Sequence, residues 1–309
     1  MDERSWNAKR TVCGWRLRTR VLELGRRTMV MGVVNVTPDS FSDGGAFLRT
    51  EDAVAHALRM LDEGADVVDV GAESTRPGSK AGSKAGREPA VSAEEEQARL
   101  LPVVEGILAA RPDAVVSVDT YKAATARAGL EAGAEMVNDV SGFGWDTEMV
   151  AVCAEARCGV VLMHTRGRPE EWGTQARLVA DDVMQTVRTG LAASLEAARR
   201  AGVGEEAIVL DPGYGFGKRL EENYALLARQ AELLDLGRPL LAGLSRKSFL
   251  GWTLRGLHGG ADAAVNERET ASVAAMVAAI LHGASIVRVH EVRPAVEAAR
   301  IADAVLDAG

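Results

Sequence analysis

The stretch MGVVNVTPDSFSDGG, residues 31–45, decides the fold. Its front half belongs to an almost purely apolar, β-branched run from Thr28 to Val36, which predicts a buried strand. Its back half sets Thr37, Pro38, Asp39, Ser40, Ser42, Asp43, Gly44 and Gly45 around the single aromatic Phe41, which is loop chemistry. Asn35 is the polar residue at the junction. In parallel α/β proteins that junction is where ligands bind.

The same unit recurs along the chain: a helix-like segment, then a short apolar strand ending on a polar residue. Val67–Val70 contains Asp69, Ala114–Val118 runs into Asp119, and Met136-Val137 ends in Asn138-Asp139. Val160–Met163 ends in His164, Ile208–Leu210 in Asp211, and Ile286–Val289 in His290, while Leu240–Ala242 runs into Gly243. Gly64, Gly133, Gly159 and Gly283 precede four of these strands, as expected of helix-to-strand turns that need a left-handed residue. Helices are predicted over 51–63, 93–110, 121–132, 181–201, 221–233, 269–282 and 295–306. Strand and helix alternate eight times, which predicts a (β/α)8 TIM barrel rather than an open doubly wound sheet. Residues 1–27, with the partly alternating WRLRTRVLEL (15–24), predict a short N-terminal β-hairpin ahead of a single 28–309 domain. GSKAGSKAG, 78–86, reads as a mobile loop after the second barrel strand.

Composition narrows the function. The chain has 309 residues, 47% of them hydrophobic and 4% aromatic, enough for a large aliphatic core. A net charge of −8 argues against nucleic acid as a partner. Cys13, Cys153 and Cys158 have no metal-binding spacing and are odd in number, which predicts free thiols in a reducing cytoplasm. The opening MDERSWNAKR has no secretory character, and no apolar run is long enough for a membrane span.

In a barrel the site forms at the C-terminal strand ends. Collected there are Asn35, Glu73 to Arg76, Asp119, Asn138, His164, Asp211, Ser245-Arg246-Lys247, Arg288 and His290. Any one of them alone is as well explained by capping the next helix or turn. The whole set in one mouth is not, because stability does not require it. Asp119, Asp211 and Asn138 offer acceptors and an amide to a flat heterocycle with adjacent N–H donors. Arg76, Lys247, Arg288 and His290 offer cations to an oxyanion, two of these clusters following strands seven and eight, the usual phosphate corner. Asn35 offers one hard oxygen to a Mg²⁺ held mainly by phosphate and water. GYGFGK, 213–218, fails both the P-loop and the dinucleotide patterns and reads as a loop that lets backbone approach a ligand. His56, His258 and His282 read as structural.

With these motifs in order, the chain resembles the dihydropteroate synthases from about Val21 onward. The match is carried by residues 31–45, DVGAESTRPG (69–78), VSVDTYK (116–122), VNDVSG (137–142), LMHTRG (162–167), LDPGYGFGK (210–218), LSRKSFLG (244–251) and RVHEV (288–292). The resemblance implies a transferase of folate biosynthesis and a sulfonamide target. Its substrates would be 6-hydroxymethyl-7,8-dihydropterin pyrophosphate and p-aminobenzoate. It implies pterin binding by Asp119, Asn138, Asp211 and Lys247, with Met163 and Phe216 as apolar wall. Asn35, Arg76, Arg288 and His290, with Mg²⁺, would hold the pyrophosphate, and Asn35, Lys247, Arg288 and His290 would be catalytic. Thr75, Arg76, Pro77, Ser245 and Phe41 would border p-aminobenzoate, with 37–45 and 74–88 closing over the site. It also implies a homodimer through the later helices. Two features depart from the family: the long 78–86 loop, and Thr165-Arg166-Gly167-Arg168, which is expected to alter the charge of the pterin mouth. A corrinoid methyltransferase of the same superfamily should lack the Ser-Arg-Lys-Ser and Arg-Val-His motifs, and a non-catalytic paralogue should have lost Asn35, Lys247 or His290.

Overall fold

The computed structural model describes residues 10–36, 46–73 and 91–308. A two-stranded antiparallel hairpin, β1 (Cys13–Arg16) and β2 (Val21–Leu24), precedes the barrel. Eight parallel strands then close on themselves in the order β10-β3-β4-β5-β6-β7-β8-β9. They are β3 (Met29–Asn35), β4 (Val67–Gly71), β5 (Val116–Asp119), β6 (Met136–Asp139), β7 (Gly159–Met163), β8 (Ile208–Asp211), β9 (Leu240–Ala242) and β10 (Ala284–Val289). The barrel expected from the strand–helix alternation is therefore present, as is the hairpin.

Side chains alternate across each strand, so every second residue faces the barrel axis. Met31, Val67, Val115, Met136, Val161, Val209, Leu241 and Ile286 form one buried apolar cluster in the lower interior. The intervening residues, such as Val68, Val70, Val118, Val137, Val160, Leu210 and Val287, belong to a second cluster shared with the helices. The hairpin plugs the bottom: Trp15, Leu17 and Leu24 join the interior cluster, and the Trp15 indole donates to the Ala207 carbonyl at 2.8 Å. The lower end is thus closed and apolar, and chemistry is confined to the upper end.

The helices are α1 (Ala46–Asp62), α2 (Ala93–Ala110), α3 (Ala123–Glu131), α4 (Met149–Ala156), α5 (Ala180–Arg200), α6 (Leu220–Ala228), α7 (Ser248–Thr253), α8 (Glu269–Leu281) and α9 (Val292–Ala308). Two short ones, α4 and α7, go beyond the helices expected from sequence. The segment expected as one helix over 221–233 divides into α6 and a 3-10 stretch, Gln230–Leu236. Among the described residues no helix is long and apolar enough to cross a membrane.

The hairpin turn is held by Glu135, which is 3% exposed at the foot of β6. Its carboxylate accepts the Thr19 backbone N–H at 2.8 Å and the Thr19 hydroxyl, and pairs with Arg20 at 3.3 Å. Hydrogen bonds to a charged group contribute more than neutral ones, so Glu135→Ala is expected to lower stability by about 1.5–3 kcal/mol. Urea unfolding checks this, and a loss under about 0.5 kcal/mol would mean that the hairpin docks through its apolar residues alone.

Candidate active site

The same alternation that builds the apolar floor places the site. Two residues beyond each floor residue come Val33, Asp69, Ser117, Asn138, Met163, Asp211, Gly243 and Arg288. Two further on come Asn35, Asp119, Val140, Ser245 and His290. Most of both layers lines one cavity of about 350 Å³, together with Glu73, Trp172, Tyr214, Phe216, Lys247, Ser248 and Arg268. The strand-end residues Asn35, Asp119, Asn138, Met163, Asp211, Ser245, Lys247, Arg288 and His290 are thus brought together, as is Phe216. Phe41, Thr75, Arg76 and Pro77, the 37–45 and 74–88 loops and the 78–86 repeat lie outside the described residues.

The floor of the cavity is an ion-pair network that the strand-end reading missed in part. Arg288 donates through Nε to Asp69 and through Nη2 to Asp119, both at 2.6 Å. Asp69, with no exposed surface, also accepts the Asn138 amide at 2.9 Å, so one carboxylate orients a cation and an amide. Asp69 sits mid-strand in VVDV, where it reads as strand content; a carboxylate within an all-apolar run was the available signal. Burial pushes the Asp119 carboxyl well above the usual range, and the Arg288 guanidinium opposes that.

Asp211 accepts the Gly213 N–H at 2.7 Å, which fixes its carboxylate at the turn after β8. Its carboxyl is likewise raised by burial and held down by that N–H and by Lys247. Gly213 has φ +70°, and a Cβ there would sit 1.9 Å from the His164 carbonyl oxygen, so no other residue fits this turn. Lys218, 7% exposed, braces the same loop by donating to the carbonyls of His164 (3.2 Å), Gly213 (2.7 Å) and Phe216 (3.3 Å). Tyr214 beneath it is fully buried and donates to Gln230 at 2.8 Å. These braces present Phe216 to the cavity, with the Lys247 ammonium 4.0 Å from its ring centroid.

Ser245 and His290 form a pair. The Ser245 hydroxyl lies 2.9 Å from His290 Nδ1 and accepts the His290 backbone N–H at 3.3 Å. Ser245, expected to border p-aminobenzoate, therefore also orients the imidazole.

Two expectations need correction. His164 does not face the cavity. Val161 and Met163 point inward, so His164 points outward against Gly190 of α5, 7% exposed, with Nδ1 unpartnered among the described residues. Burial lowers its pKa well below the ordinary value, so it stays neutral. Nor does Arg166 charge the mouth: it turns to the Gly217 and Ala176 carbonyls and to Glu222, while Arg168 stacks over Trp145 with 5.1 Å between guanidinium and ring.

For a divalent cation the protein offers little by itself. Among the described residues no group of three or more His, Cys, Asp or Glu side chains converges. Asn35, at the end of β3 and on the cavity wall, is a single hard oxygen donor, which suits an ion that takes most of its shell from a substrate diphosphate and water.

A parallel barrel whose mouth joins buried carboxylates, an amide and cations around a pocket sized for a bicyclic ring defines a class, and the family comparison agrees. Residues 31–290 match the model of the pterin binding enzymes, and the chain belongs to that family. It falls within a particular branch. It is 46% identical over 283 residues to the dihydropteroate synthase of Mycobacterium leprae, covering 91% of this chain and 94% of the relative. It is similar to the Yersinia pestis dihydropteroate synthase solved in a sulfonamide complex, with TM-score 0.83, 40% identity, and 96% of this chain and 100% of that one covered. It is also similar to the Xanthomonas albilineans enzyme in complex with 7,8-dihydropteroate, with TM-score 0.79, 39% identity, and 94% and 98% covered. The chain is a member of the dihydropteroate synthases.

Proposed function

We propose that this site joins 6-hydroxymethyl-7,8-dihydropterin pyrophosphate to p-aminobenzoate by the residue roles that follow. The observation that carries the reading is the two inward layers: acceptors at the floor, cations beside them, and an aromatic wall leading outward.

Asp211, Asn138 and Asp119 hold the pterin. Its adjacent ring N–H and amino donors match a carboxylate that accepts two hydrogen bonds. Burial of both carboxylates strengthens these bonds and makes them selective for a donor-rich ring edge. Met163 and Phe216 cover the ring faces. Arg288 and His290, with Asn35, hold the diphosphate, and the resemblance adds Arg76. Bound Mg²⁺ would neutralise the leaving diphosphate, with Asn35 as its protein ligand. The C–O bond to diphosphate breaks, the pterin methylene carries positive charge delocalised into the ring, and the arylamine nitrogen attacks it. The new C–N bond forms and the nitrogen then loses a proton. The arylamine is already neutral at pH 7, so no strong base is required. Lys247 and Arg288 stabilise charge as it develops on the leaving oxygen. Ser245 keeps the His290 ring directed at that group.

The enzyme is expected to act in the cytoplasm as a homodimer. Ile301 and Val305, 70% and 53% exposed, lie one turn apart on α9 and form the apolar face a second copy would cover. Ala295, Ala299 and Ala302 on the same helix are buried.

The test is product formation. With the pterin pyrophosphate, ¹³C-labelled p-aminobenzoate and Mg²⁺, mass spectrometry should find labelled 7,8-dihydropteroate, and EDTA should suppress it. Formation of unlabelled hydroxymethylpterin alone would overturn the reading.

A further inference from the structure

Trp172 belongs to the β7–α5 connection, in a 3-10 turn, Trp172–Thr174, and the sequence motifs give it no role. It lines the active-site cavity, half-buried, and meets Phe216 in a T-shaped contact with centroids 5.4 Å apart and planes at 89°. The contact is preorganised. The Trp172 indole donates to the Gly167 carbonyl at 3.2 Å. Arg166 ties the connection to the β8–α6 loop through the Gly217 carbonyl at 3.2 Å, and Arg219 does so through the Gln175 carbonyl at 2.9 Å. The Leu178 N–H donates to Glu222 at 2.7 Å. Gly217, at φ +69°, lets the two loops touch: a Cβ there would lie 2.9 Å from Trp172 Cδ1. So the Arg166 cluster, which departs from the family pattern, acts as scaffolding that pins an indole to the mouth.

Its place along the ligand path sets its role. The groups that hold the pterin are on strand ends at the cavity floor. Trp172 lies nine residues past the end of β7 (172 against 163) and reaches the cavity from the rim, with Phe216 next to it. A pterin anchored at the floor turns its reactive methylene outward, so the acceptor arrives at the rim. We infer that Trp172 is the specificity-determining wall of the acceptor subsite, packing a planar aromatic amine beside Phe216; this rests on the reading of the reaction given above. A fixed indole adds apolar contact with little ordering cost, and T-shaped aromatic pairs hold their geometry.

Steady-state kinetics of Trp172→Ala and Trp172→Phe test the wall. The alanine variant should raise KM for p-aminobenzoate about tenfold, and phenylalanine should restore it to within about threefold of wild type. KM for the pterin pyrophosphate and kcat should stay within about threefold in both. An unchanged p-aminobenzoate KM in Trp172→Ala would overturn the inference. So would parallel rises in both KM values, which would mean the residue only braces the loop. If wild type makes no product, the reading of the reaction falls, and calorimetric binding of p-aminobenzoate decides about the wall. Equal affinity in wild type and Trp172→Ala would then reject it, and an affinity about tenfold weaker would support it.

Discussion

Replacing Lys247 with alanine is expected to lower kcat/KM at least about a hundredfold, about 2.7 kcal/mol of transition-state stabilisation. Three effects converge on the loss. The ammonium lies 4.0 Å over the Phe216 ring, so its removal leaves the aromatic wall without the cation on its face. It removes a positive charge from the neighbourhood of the leaving diphosphate. It also removes an attraction that lowers the Asp211 pKa, against the burial that raises it. Asp211 must be ionised to accept two pterin N–H groups. With Lys247 gone its pKa rises further, so the acidic limb of the residual kcat/KM profile should move to higher pH. A loss below about tenfold, or an unmoved acidic limb, would contradict the role given to Lys247.

The second large effect is expected at Arg288. Arg288→Met removes the guanidinium that pairs with both Asp69 and Asp119. Asp69 has no exposed surface, so its charge would be left buried with the neutral Asn138 amide in place of a cation. Breaking a buried pair in this way costs about 3–5 kcal/mol. The deficit should depend on pH with a definite sign. Arg288 lowers the Asp119 pKa and burial raises it, so the variant's folded carboxyl titrates even further above its unfolded value. The folded variant therefore prefers the protonated acid. The part of the deficit that runs through Asp119 is full above the variant's folded pKa, shrinks as pH falls, and is gone below the wild-type folded pKa of about 7. Chemical denaturation at pH 8 and pH 5 measures this; a deficit that is constant or larger at pH 5 would show that the network is not what Arg288 stabilises.

How much of this was legible in the chain follows from geometry. Strand ends were legible because an apolar run that stops at Asn35, Asp119, Asn138, Asp211 or His290 marks both the end of a strand and the start of the mouth. The barrel followed from repeating that unit. What the strand ends do not carry is parity. His164 is as terminal as His290, yet inward-facing Met163 turns it outward, and its place is taken by loop residues. Asp69 sits one inward step below the rim, so it reads as core while forming the base of the charge network. Trp172 depends on how two loops dock through Arg166, Arg219 and Gly217, a long-range match that no local period encodes. Helices α4 and α7 are only 8 and 6 residues long, too short to establish an amphipathic repeat.

The central claim is that C–O cleavage at the pterin methylene is coupled, in this cavity, to capture by the arylamine. Pyrophosphate release from the pterin substrate, followed with and without p-aminobenzoate, tests it most directly. Coupled turnover predicts sustained release only with p-aminobenzoate present, in a one-to-one ratio with 7,8-dihydropteroate. Release at the same rate without p-aminobenzoate, or no release with it, would contradict the account.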